Sequence, residues 1–154
     1  MMTAPSSDRV LHIVDVENFL GGWVTADRVE RFWKRYEAVV GIGPADHAFV
    51  GCAVATAAAV MFGTGSRARL IVGGRGKNAA DKAVLGLLDG CHLGSRYWKA
   101  YVGSGDRSFS AIAGALQRSG CQVVNVSSGP PSLRFRMLQT SHVRVSLRPR
   151  IPAA

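Results

Sequence analysis

Short, nearly uncharged apolar runs alternate with segments of helical period along residues 10–126, and this alternation restricts the fold more than any other feature of the chain. Residues 10–16 are apolar except for His12 and Asp15. They read as a strand buried on both faces, since a half-exposed strand would alternate apolar with polar side chains. Residues 25–40 repeat Val29, Phe32, Trp33, Tyr36 and Val40 at helical spacing, with Arg28, Arg31, Lys34 and Arg35 on the wet side. Thr25 suits the N-cap of that helix and Gly41 its stop. Further strands are expected at 47–51, 68–72, 97–102 and 121–126, and helices at 53–62, 79–88 and 108–119. Strands separated by helices pair in parallel and are covered on both faces. The expected fold class is therefore α/β, a three-layer αβα sandwich with a mainly parallel central sheet and right-handed crossovers.

No repeat or linker divides the chain, and 154 residues suit one domain with a real core. Residues 1–9 are expected to be a disordered N-terminus and 10–126 the domain. A turn-rich break at 127–131 opens a basic C-terminal extension, 127–154, that carries Arg134, Arg136, Arg144, Arg148 and Arg150. The chain holds 19 Lys+Arg against 10 Asp+Glu, a net charge of +9, and Asp106 is its last acidic residue. Such a balance favours a polyanionic partner, of which nucleic acid is the commonest. The start shows no basic-then-apolar leader. The uncharged stretch 48–63 is shorter than the ~20 residues a membrane helix needs, so no membrane segment is expected. Cys52, Cys91 and Cys121 lack zinc spacing and read as small core residues in a reducing cytoplasm.

Open parallel sheets bind ligands beyond the carboxyl ends of their strands. Two polar clusters fall there. Asp15-Val16-Glu17-Asn18 closes the first strand, and Gly103-Ser104-Gly105-Asp106-Arg107-Ser108 follows a later one. A carboxylate at the end of a buried strand needs a cation, a basic partner or several hydrogen bonds. Two aspartates brought close repel each other unless a metal lies between them. Magnesium takes few carboxylates, with waters and phosphate oxygens filling the rest of its shell. Asp81, near the start of its helix, is either a third ligand or a complement to the helix dipole. Arg75 and Lys77 in the Gly-rich loop, and Arg107 beside Asp106, are either phosphate clamps or solvated charge. That loop is no P-loop, because no Ser or Thr follows its Lys.

No Ser/His or Cys/His nucleophile system stands out. His12 reads as a satisfied core or edge histidine, and His47, His92 and His142 have no metal-ligand spacing. Trp23, in a Gly-Gly-Trp loop after the first cluster, is a candidate for base stacking, whereas Trp33 has core spacing.

The string Ile13-Val14-Asp15-Val16-Glu17-Asn18 resembles the opening motif of NYN domains, a branch of the PIN-like nucleases. Gly103-Ser104-Gly105-Asp106-Arg107-Ser108-Phe109, followed by Gly120-Cys121-Gln122-Val123, resembles the family's second signature. Lys77-Asn78-Ala79-Ala80-Asp81-Lys82-Ala83-Val84-Leu85 is similar to its central helix. The resemblance implies a PIN-like fold and Mg²⁺- or Mn²⁺-dependent hydrolysis of RNA, single-stranded by preference, in a protein able to form homodimers. It implies Asp15, Asp81 and Asp106 as catalytic, metal-holding carboxylates, and Asn18, Arg75, Lys77, Arg107 and Ser108 as residues at the nucleic acid. Ser104 would hydrogen-bond near the site. The family's usual fourth aspartate is Ser108 here, a hydroxyl without charge. Glu17, a carboxylate adjacent in sequence, compensates if it turns inward past the strand end. The alternative expectation is a catalytically weakened module that binds RNA or assembles. A receiver-like phosphotransfer pocket fits less well, given the charge and the lack of a suitable late Lys.

Overall fold

In the computed structural model, which describes residues 9–65, 68–73, 96–104 and 107–146 and only the backbone of Arg107 and Ser108, every strand pairs in parallel. Strand β1 (Val10–Asp15) runs directly into the short helix α1 (Val16–Leu20), and α2 (Ala26–Val39) returns along the sheet. Then come β2 (His47–Ala53), a 3₁₀ turn (Val54–Thr56), α3 (Ala57–Thr64) and β3 (Arg69–Gly73). Beyond residues 74–95 follow β4 (Lys99–Gly103), α4 (Arg107–Arg118), β5 (Gln122–Ser127), α5 (Leu133–Met137) and β6 (Ser141–Arg144). The sheet order is β3-β2-β1-β4-β5-β6. The three-layer α/β sandwich expected from the alternation is the fold observed. The expected helix at 79–88 lies outside the described residues, as do residues 1–8.

The two faces of the sheet separate by strand period. Leu11 and Ile13 of β1 point into one core with Val102, Phe109, Ile112, Leu116, Val123 and Phe135. Val14 points into the other, with Val29, Phe32, Trp33, Tyr36, Val50 and Val60. Helix α2 begins as expected, Thr25 Oγ1 accepting from the Arg28 N–H at 3.2 Å. Gly41 takes φ +81°, which stops it. Helix α3 lies so close to α2 that a Cβ on Gly63 would sit 2.4 Å from Val29 Cγ1. Cys52 and Cys121 are buried thiols, each pushed up to about 11 by burial.

The sheet continues past residue 126. Phe135 and Val145 are fully buried, and β6 adds to β5 with Val124 opposite Ser141 and Ser127 opposite Arg144. Part of the expected basic extension is thus an edge of the domain. Its few apolar residues sit among arginines over segments too short to show a period, so the sequence pattern ended at β5. Among the described residues no helix is long and apolar enough to cross a membrane.

His12, on a central strand, is fully buried and stacks on Tyr101, ring centroids 5.1 Å apart. Its Nδ1 lies 2.8 Å from the Tyr36 hydroxyl and its Nε2 3.0 Å from Asp46 Oδ2. It is the satisfied core histidine that its position implied. Burial holds its pKa below the ordinary value, against the pull of Asp46. The folded state therefore resists a proton that the unfolded chain accepts near pH ~6.5. Stability from this group is complete above that pH and is lost as pH falls through it toward the lowered folded value. A series of melting temperatures should decline below about pH 6.5, and the His12 imidazole should titrate below that point by NMR. An unshifted His12 midpoint would contradict this assignment.

Candidate active site

Strand order reverses beside β1. The chain passes from β1 to β2 and β3 on one side, and later to β4, β5 and β6 on the other. Such a switch point leaves a crevice at the carboxyl ends of the two diverging strands. Val14 is in register with Gly103, and Asp15 with Gly51. Asp15 and Ser104 therefore flank the mouth between β1 and β4.

Asp15 is 4% exposed. Its extended backbone (φ −99°, ψ 92°) makes it the N-cap of α1, with Oδ1 accepting from the Asn18 N–H at 3.4 Å. The Ser104 hydroxyl, fully buried, donates to Oδ2, also at 3.4 Å. Both contacts are at the long end of the hydrogen-bond range. Helix α1 is pressed onto the end of β4: a Cβ on Gly103 would lie 3.2 Å from Phe19 Cε2. Phe19 in turn packs on Phe32 of α2 with ring centroids 4.6 Å apart.

Asn125, fully buried on β5, was not singled out by sequence reasoning. Its Nδ2 donates to the carbonyls of Val102 at 3.1 Å and Ser104 at 3.0 Å. It thereby fixes the backbone where the chain leaves β4 toward Asp106. Among the described residues its Oδ1 has no partner. A lone amide within Val123-Val124-Asn125-Val126 was the available signal.

Glu17 does not turn toward Asp15's partners. Its Oε1 accepts from the Ala53 N–H at 3.0 Å and the Thr56 hydroxyl at 2.6 Å, tying α1 to the turn after β2. Asn18 presents an exposed side chain at the start of α1. Arg107 and Ser108 open helix α4. Asp81, Asp106, Arg75 and Lys77 lie outside the described residues. Among the described residues no group of three His, Cys, Asp or Glu is placed to hold a metal. The oxygen donors present, the Asp15 carboxylate and the Ser104 hydroxyl, are those a hard divalent cation accepts.

A Ser/His pair does occur elsewhere. Ser127 Oγ lies 2.6 Å from His142 Nε2. That hydroxyl donates its only proton to the Gly129 carbonyl at 2.7 Å, so His142 must act as donor and cannot serve as its base.

No family model, curated protein or solved structure matches this chain.

Asn125→Ala should leave two carbonyls at the end of β4 without their amide donor and cost about 1–3 kcal/mol. Urea unfolding checks this; a change within about 0.5 kcal/mol would remove Asn125 from this role.

Proposed function

We propose that the protein is a metal-dependent ribonuclease that hydrolyses phosphodiester bonds of single-stranded RNA at an Asp-rich site. The observation that carries this reading is Asp15, a buried carboxylate at the switch-point mouth that faces the hydroxyl of Ser104. The net charge of +9 and the ordered NYN-like strings support it.

In this reading Asp15, Asp81 and Asp106 would hold Mg²⁺ or Mn²⁺. When bound, the ion lowers the pKa of a water and polarises the scissile phosphate. Ser104 orients the Asp15 carboxylate, and Asn125 holds Ser104 in place. Asn18, Arg75, Lys77 and Arg107 would bind the phosphates flanking the cleaved bond, with the Ser108 hydroxyl beside them. Free buried thiols at Cys52 and Cys121 suit action in a reducing cytoplasm.

One observation favours a second reading, a weakened RNA-binding or assembly module on the same fold. Ser108 lacks the expected charge, and Glu17, committed to Ala53 and Thr56, does not replace it.

Purified protein should cut single-stranded RNA with Mg²⁺ or Mn²⁺ and not in EDTA. Asp15→Asn and Asp106→Asn should each lower the rate roughly a hundred-fold or more with RNA binding kept, and Ser108→Asp should raise it. Wild type that binds RNA but cuts it with neither metal would sink the nuclease reading and leave the second.

A further inference from the structure

Trp23 exposes 69% of its surface in the loop between α1 and α2. Its loop is braced. The Arg28 guanidinium sits over the indole, 5.0 Å from the ring centroid. The same Nη1 donates to the Leu20 carbonyl at 3.2 Å and to the Trp23 carbonyl. Arg28 thus caps the end of α1, holds the loop and covers one face of the ring. Among the described residues most of the Trp23 side chain stays exposed beyond this contact.

The loop also stands at the right end of the molecule. Helix α2 starts just after it and runs back toward His12, so Trp23 lies at the carboxyl ends of the strands, with Asp15. Five residues of helix and three of loop cap the separation of the Asp15 and Trp23 backbones at roughly 20 Å. Trp98, 41% exposed, precedes β4 and so sits at the opposite end.

We infer that Trp23, backed by Arg28, is a stacking platform for one base of a single-stranded nucleic acid whose backbone passes the Asp15 mouth. An aromatic ring takes any base on its π-face, and a guanidinium behind it adds positive potential near the phosphates. The net charge of +9 favours this occupant over an apolar protein surface. The inference deepens the reading of the Asp15 site as an RNA site, yet it requires binding alone and no cleavage.

The test is fluorescence anisotropy with a labelled ten-nucleotide oligouridine in EDTA, repeated with an abasic oligomer of equal length. Trp23→Ala should bind the oligouridine roughly 5- to 100-fold more weakly than wild type, while Trp23→Phe keeps most of the affinity. On the abasic oligomer wild type and Trp23→Ala should match. Equal affinity of the two proteins for oligouridine would overturn the platform. An equal loss on both oligomers would overturn it too, since only phosphate contacts or folding would then be affected. Loss of a protein–protein contact in Trp23→Ala with RNA affinity unchanged would show the wrong occupant. A clean base-dependent effect without metal-dependent cleavage would keep the platform and reject the nuclease.

Discussion

Strand β1 is paired on both sides and covered on both faces, and this burial governs the rest of the molecule. A strand in that position has no water for its polar side chains, so each one it carries must find a partner. His12 finds two, Tyr36 from α2 and Asp46 from the approach to β2. Those bonds stitch the helix layer and the neighbouring strand to β1 at its amino end. Asp15 lies at the other end, where the chain escapes the sheet into α1. Its partners come from the next residues along the chain and from β4 across the gap.

The switch point turns that burial into a site. Because β2 and β4 flank β1 and lead away on opposite sides, the carboxyl end of β1 opens onto a crevice. Tight packing then leaves little freedom around it. Phe19 closes on Gly103, Asn125 grips the carbonyls at the end of β4, and Glu17 ties α1 to the turn after β2. The Asp15 carboxylate lies in the middle of this set, buried at 4% exposure.

Much of this was legible in the sequence. The apolar run interrupted only by His12 and Asp15 marked the central strand, and the period of Val29, Phe32, Trp33 and Tyr36 marked α2 with both of its ends. Asp15 and Ser104, one from each polar cluster, meet at the mouth because parallel strands bring their carboxyl ends together. Other features depended on tertiary contacts. The direction of Glu17 follows from the position of Thr56, and the bonds of Asn125 from the neighbouring strand, so neither has a local signal. β6 was missed because an edge strand of four residues, Ser141–Arg144, is too short for a pattern and is stabilised by Phe135 and Val145 around it.

Whether the proposed metal ligand Asp15 holds a cation is decided by a crystal structure of the protein with Mn²⁺. The expected result is an anomalous peak at carboxylate-ligand distance from Asp15, shared with Asp106. An Arg or Lys side chain filling the space between those two aspartates, with no anomalous density there, would contradict it.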